Sequence, residues 1–340
     1  MDQNDPNPLD ERKEQILREI VEAYVRRGEP VGSKVVADAT DLGLSSATIR
    51  NEMAILEREG YISHPHTSAG RTPTDKGYRY YVDVLAPRVG AGRTKRREIE
   101  HNLVGTFSAL DELLERTSQL LTELTDYTSL AASPSLRESR IARIELVRLG
   151  SHRLLLICVG EDGWHDDRII ELPTDVNDAM IADALRFAND TIADATPSEA
   201  AMAVDNIAAP SELHDLLRGI GEALRAVSRT TMRLYTGGTA KLVVWEPVDT
   251  AQQVLELLKG GVVEPLLPEP APNTVTVRIG RELALGDVRD LSLITTGYQL
   301  GRRAGTVGVL GPTRMDYPMV ISTVVEVAST LSRVLRQLAP

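Results

Sequence analysis

GEPVGSKVVADATDLGLSSATIRNEMAILEREGYISHPHTSAGRTPTDKGYRYYVDVL, residues 28 to 85, decides how the first quarter of the chain folds. Its spacing predicts two short helices, Ser33 to Ala39 and Ser46 to Glu59, parted by the turn-forming Thr40-Asp41-Leu42-Gly43. Tyr61 to His64 and Arg71-Thr72-Pro73 read as a strand and its return, with His66-Thr67-Ser68-Ala69-Gly70 turning between them. Thr74 then caps a helix carrying Tyr78, Tyr81, Val82 and Leu85. Two helices across a tight turn, followed by a hairpin, make the plan of a winged helix-turn-helix. Upstream, Ile16, Leu17, Ile20, Val21, Tyr24 and Val25 recur at helical spacing after an Asp10 cap, and Gly28 and Pro30 stop that helix.

The second helix of the pair divides chemically. Ile49, Met53 and Leu56 lie at i, i+4 and i+7 and must pack inward, which leaves Ser45, Ser46, Thr48, Arg50 and Asn51 facing out near the amino end. In a major groove Arg pairs bidentately with guanine and Asn with adenine, while Ser and Thr reach bases or phosphates. The free N–H groups of the first turn also favour phosphate. His64, His66, Ser68, Gly70 and Arg71 give the wing small and polar or cationic groups for a phosphate or minor-groove contact. Arg50 and Asn51 are thus expected to read bases, and Arg71 and Lys76, flanking the wing, to hold phosphates. The competing reading makes Ser45 only a helix cap and Arg50 and Asn51 solvated polar residues. His64-x-His66 could also be half of a metal site, but it lacks a Cys or carboxylate close by.

Charge distribution agrees with a DNA-touching end. The net charge of -11 lies in residues 100 to 340, with 22 Lys+Arg against 33 Asp+Glu, whereas residues 1 to 99 balance at 16 against 16. Within residues 43 to 97 the count is 10 against 5, a basic module on an acidic body. At 340 residues, 42% hydrophobic and 26% charged, the chain is an ordinary globular protein of two or three domains. Its longest apolar run, Leu154 to Val159, falls far short of the roughly 20 residues that span a bilayer, so no membrane partner is expected. MDQNDPNPLDERKEQ has neither a basic n-region nor an apolar h-region, and a cytoplasmic protein is expected. Cys158 alone cannot form an internal disulfide, and with six scattered histidines no zinc site of the usual spacing arises.

Farther along, Pro87 to Arg97 reads as a basic linker, and a long amphipathic helix with Leu103, Phe107, Leu110, Leu114, Leu121 and Leu124 runs to about Tyr127. Strands are expected at Ile141 to Leu149, Arg153 to Val159 and Arg168 to Leu172, with Asp162-Gly163 as a hairpin turn. Helices at 178 to 192 and 211 to 234 interrupt the strand pattern like an insertion. Lys241 to Trp245 reads as another strand, followed by a helix to Lys259, strands at 274 to 279, 291 to 299 and 304 to 310, and a helix from Met319 to Leu338. This pattern favours an α+β fold with a largely antiparallel sheet. Gly305, Gly308 and Gly311 alternate with apolar residues and mark close backbone packing or a bulge in a strand, not a phosphate loop. No G-x-S-x-G elbow, H-E-x-x-H or Walker A motif is present, so no enzyme and no cofactor is expected. Cys158 reads as an inert core residue.

GEPVGS, ATIRNEM, the LE-x-x-GY run, PHTSAGR and PTDKGYRYYVD, in that order, closely resemble the DNA-binding end of the HrcA family of heat-inducible transcription repressors. YTGGTAKL (235 to 242) and GVLGPTRMDYPMVI (308 to 321) resemble that family's later motifs; Arg281 to Leu283, where an acidic-Asn pair is usual, and Leu291, where Cys is common, depart from it. The resemblance implies a homodimer that binds an inverted-repeat operator in double-stranded DNA ahead of chaperonin and chaperone genes, with a chaperonin aiding its active fold. It also implies the domain plan: winged helix-turn-helix at 1–88, basic linker at 89–99, GAF-like α+β domain at 100–173 and 246–340, and an inserted dimerisation domain at 174–245. The runner-up function is a ligand-gated winged-helix regulator with a metabolite pocket in the GAF-like domain. An enzyme with a DNA-binding appendage is weaker, having no nucleophile, base or metal set.

Overall fold

A computed structural model describes residues 9–338 apart from 41, 66–69, 88–89, 105–109, 136–138, 162–163, 230–231, 246–247, 260–266, 268–269, 286–288 and 302. Helix α1 (Glu11–Arg27) starts at Asp10, whose carboxylate accepts from the Lys13 N–H at 2.9 Å, and ends at Gly28 in left-handed backbone. Helices α2 (Ser33–Ala39) and α3 (Ser46–Arg58) form the expected pair. Strands β1 (Ile62–Ser63) and β2 (Thr72–Pro73) run antiparallel, and Val31 adds a rung by exchanging backbone hydrogen bonds of 2.8 and 2.9 Å with Arg71. The Thr74 hydroxyl accepts from the Gly77 N–H at 3.2 Å and opens α4 (Asp75–Tyr80), which continues into a π turn, Tyr81–Leu85. Ile16, Leu17, Ile20, Ile49, Leu56 and Ile62 close the core of this module. It is a winged helix-turn-helix. A Cβ at Gly77 would lie 2.1 Å from the Tyr61 carbonyl oxygen, so only glycine lets α4 seat against β1.

Two expectations fail at the exit from this module. The basic stretch 89–99 is not a free linker, because α5 (Arg93–Leu103) begins inside it. Ile99 and Leu103 are fully buried, and Arg96 holds Glu326 of the closing helix through two hydrogen bonds of 2.9 and 3.1 Å. At least one of the cations expected in a linker, Arg96, therefore serves docking. The single long helix to Tyr127 is likewise two: α6 (Leu110–Thr125) follows α5, and Phe107 lies outside the described residues.

After β3 (Thr128–Ala132) the chain enters a separate core. Strands β4 (Ile141–Gly150), β5 (Arg153–Gly160) and β6 (His165–Glu171) form an antiparallel sheet in that order. The Asp162-Gly163 turn expected between β5 and β6 lies outside the described residues. Helices α7 (Asp178–Ile192), α8 (Pro197–Asp205) and α9 (His214–Arg229) cover one face of that sheet, and Leu154, Leu156, Cys158 and Ile170 share one core with Ala184, Ala188, Leu216 and Leu224. The interruption is thus larger than the 174–245 block. It takes in all three strands that had been assigned to the preceding domain, because those strands bury their inner face only against the inserted helices.

The return closes a second sheet. Strand β7 (Leu234–Gly237), expected in the insertion, pairs instead with β3. Gly238, at φ +64°, then turns the chain out of the sheet, so Lys241 to Trp245, expected as a strand, is a 3-10 turn followed by α10 (Leu242–Trp245). Helix α11 (Val248–Lys259) and strands β8 (Val275–Ile279), β9 (Leu291–Leu300) and β10 (Arg303–Pro312) follow, giving a five-stranded antiparallel sheet in the order β7-β3-β10-β9-β8. A Cβ at Gly305 would lie 2.4 Å from the Tyr298 ring, the close packing expected there. Helix α12 (Tyr317–Leu338) contains a stretch, Tyr317–Gln337, long and apolar enough to cross a membrane by length and composition. Its Val320, Val324, Val327 and Leu331 are fully buried, which is the placement of a core helix.

Candidate nucleic-acid interface

The face of α3 follows from its inward anchors. With Ile49 and Leu56 at 0% and Met53 at 4% exposure, the helix cannot rotate, and Ser46, Arg50 and Asn51 are left exposed on the opposite side with Ala47 and Ala54 between them. Thr48 is half-buried. Ser45 is the cap: its Oγ accepts from the Thr48 N–H at 3.2 Å and lies 3.0 Å from the Thr48 hydroxyl. Both hydroxyls are therefore engaged at the helix start, while Arg50 and Asn51 project away from the protein.

The wing cations are partnered. Arg71 sits against Glu57 of α3, with Nε and Nη2 at 2.9 and 2.8 Å from Oε2, and its Nη1 donates to His64 Nε2 at 2.7 Å. That donation makes Nε2 the acceptor of the ring. Arg71, at 17% side-chain exposure, ties the wing to the recognition helix. Lys76 is exposed; its ammonium donates to the Glu59 carbonyl at the end of α3, 2.8 Å away, and rides 4.1 Å over the Tyr61 ring. His66 and Ser68 lie outside the described residues.

Two cations beside α3 were not among the expected site residues. Arg12 of α1 is 53% exposed and lies 3.4 Å from Glu52 of α3, and Lys34 is exposed at the start of α2, the helix that crosses the backbone in helix-turn-helix proteins. The Lys34 position could be read from the helix-turn-helix spacing. Arg12 needs the tertiary contact. Among the described residues no group of three or more His, Cys, Asp or Glu side chains could hold a metal ion.

Comparison with known proteins agrees with this geometry. Residues 8–83 match the winged helix-turn-helix transcription repressor family, HrcA DNA-binding, and residues 111–321 match the HrcA protein C terminal domain. The heat-inducible transcription repressor HrcA of Nocardia farcinica (strain IFM 10152) is 40% identical over 340 residues, spanning 96% of this chain and 97% of that protein. The protein of the same name from Thermobifida fusca (strain YX) is 38% identical over 341 residues, spanning 98% of each. A crystal structure of a hypothetical protein at 2.2 Å resolution superposes with a TM-score of 0.64 at 25% identity, covering 98% of this chain and 100% of that one. The named relatives are transcription repressors and not enzymes, which removes the reading of an enzyme with a DNA-binding appendage. With such identity sustained over nearly the whole length, and both halves matched, the chain belongs to the HrcA family of heat-inducible transcription repressors.

Proposed function

We propose that the chain is a cytoplasmic homodimer that represses chaperonin and chaperone genes by binding an inverted-repeat operator, and that chaperonin availability sets how much active dimer exists. The carrying observation is the α3 face: Ser46, Arg50 and Asn51 are exposed on a helix locked by three buried anchors. Arg50 and Asn51 read base edges there, with Ser46 and Thr48 beside them and Ser45 holding the helix start open toward phosphate. Lys76 supplies a phosphate contact, His66 and Ser68 belong to the wing tip, and Arg71 braces the wing while adding its charge to the phosphate side.

Dimerisation is assigned to the interrupting unit. Its helices cover one face of the β4-β5-β6 sheet, and the other face carries Val147, Leu155 and Ile169 directly opposite one another, Val147 45% and Ile169 52% exposed, with Leu149 at 52% beside them. An apolar row of this kind, exposed at Val147 and Ile169 with half-buried Leu155 between them, suits an isologous interface. The five-stranded antiparallel sheet, in the order β7-β3-β10-β9-β8, is the part of the body taken as the GAF-like domain. Its assembly also supports dependence on a chaperonin. Thr128 of β3 pairs with Leu310 of β10 only after the whole interrupting unit has been synthesised, and such distant pairing is slow and leaves apolar strands open meanwhile.

Refolding the denatured chain with and without chaperonin, followed by operator binding of the folded dimer across the heat-shock range, tests this reading. Chaperonin should raise the yield of binding-competent protein, and the folded dimer should keep its affinity on warming. Chaperonin-independent refolding with sharp, reversible loss of binding would make the dimer itself a thermometer.

A further inference from the structure

The winged helix is joined to the body by a compact set of contacts on α4. Tyr78 meets Tyr317 of α12 with ring centroids 5.8 Å apart, and Tyr78 is 2% exposed. Beside this pivot the Asp75 carboxylate accepts from the Arg281 N–H at 3.2 Å. Arg79 makes the broadest tie. Its Nε donates to Glu282 Oε1 at 3.0 Å, its Nη2 to the other Glu282 oxygen and to the Val277 carbonyl at 2.6 Å, and its Nη1 to Asp83 at 3.2 Å. Glu282 is itself held, because it accepts from the Ile279 N–H at 3.0 Å. A planar guanidinium bound on three sides fixes an angle that a single contact would leave free.

On the side away from the tyrosine pivot the joint is not filled. A cleft of about 630 Å³ opens there, lined by Val82 and Ala86 of the winged helix and by Val277, Ile321 and Val325 of the body, with Arg79 at its edge. Apolar packing does not fill that side, and the Arg79 fork ties the winged helix to the body at its edge.

We infer that Arg79 is a positioning residue for operator recognition: it lies in the joint and not on the α3 face, and it sets the angle at which the winged helix leaves the body, hence the separation of the two recognition helices in a dimer. This rests on the proposed dimeric reading of an inverted repeat. In such a dimer two half-sites bind as one unit only when their spacing matches that separation.

The test uses the full-length protein and three duplexes: the inverted-repeat operator, the same operator with its spacer lengthened by about five base pairs, half a helical turn, and a single half-site. Arg79→Ala should lower the preference for native over lengthened spacing by about tenfold and leave half-site affinity unchanged. Arg79→Glu alone should behave likewise, and combining it with Glu282→Arg should restore the preference. An Arg79→Ala protein with wild-type spacing preference overturns the inference, as does a fall in half-site affinity of the same size, which a merely folding-related role would produce. A wild-type chain indifferent to spacing overturns the dimeric reading itself and the role of Arg79 with it.

Discussion

Arg50 and Lys76 are both cations beside one helix, and the tasks proposed for them differ because their surroundings differ. Arg50 is exposed on the outward face of α3, whereas the Lys76 ammonium, also exposed, is anchored on the Glu59 carbonyl and the Tyr61 ring. Arg50→Ala should cost about 1–3 kcal/mol in operator binding and relax specificity at one base position, while Lys76→Ala should weaken all sequences alike and reduce the salt slope by about one. Titrations of operator and random duplexes at several salt concentrations check both; an unchanged operator-to-random ratio in Arg50→Ala would show that it does not read a base. Ser45 divides the two readings of its hydroxyl. As a cap, Ser45→Ala should lower stability by about 1 kcal/mol and affinity only in step with it, whereas lost affinity at full stability would make the hydroxyl a DNA contact. Cys158 is fully buried on β5, and burial, with the Asp166 charge beside it, pushes its thiol up to about 12. Near neutral pH a thiol reagent should label it only as the interrupting unit opens, and prompt labelling of the native protein would contradict this packing.

At the scale of elements, the winged helix was legible because α1, α3 and α4 carry their own start signals, Asp10, Ser45 and Thr74, and apolar positions that are buried in the structure. The short strands β3 and β7 were not. TSLAA and LYTG contain few β-branched residues, and their strand state comes from pairing with segments far along the chain. The limits of the interruption were missed for the same reason, since local periodicity does not tell which core a strand joins. On the candidate site, the outward set on α3 could be read from spacing, but the Glu57–Arg71–His64 brace and the Lys76 anchor are tertiary contacts without a local signal. The seat of α4 gives a sharp test: Gly77→Ala forces a Cβ toward the Tyr61 carbonyl and should cost about 2–4 kcal/mol in thermal unfolding. Alkali offers another. Desolvation first, and then the 2.6 Å hydrogen bond to Glu14, raise the Tyr80 phenol from 10.0 to about 12. The folded state thus favours the neutral phenol, so that contribution is complete below pH 10.0 and is lost as pH rises through about 12. Tyr80→Phe should flatten the stability profile across that window.

For the whole molecule, the proposed dimer places its interface on the interrupting unit, where half-buried Leu155 lies between the exposed Val147 and Ile169. Ile169→Asp places a charge on a residue already 52% exposed, so each chain should fold normally. It should sediment as a monomer and bind the operator far more weakly than the wild type; a dimeric variant would move the interface elsewhere. The central claim, that two copies of α3 read a two-fold symmetric operator, is tested most directly by selecting duplexes from a randomised pool with the full-length protein. Sequencing of the bound fraction should return an inverted repeat whose half-site centres lie about one helical turn apart, roughly 34 Å, or a whole multiple of it. Enrichment of a lone half-site, of a direct repeat, or of no sequence at all would contradict the account.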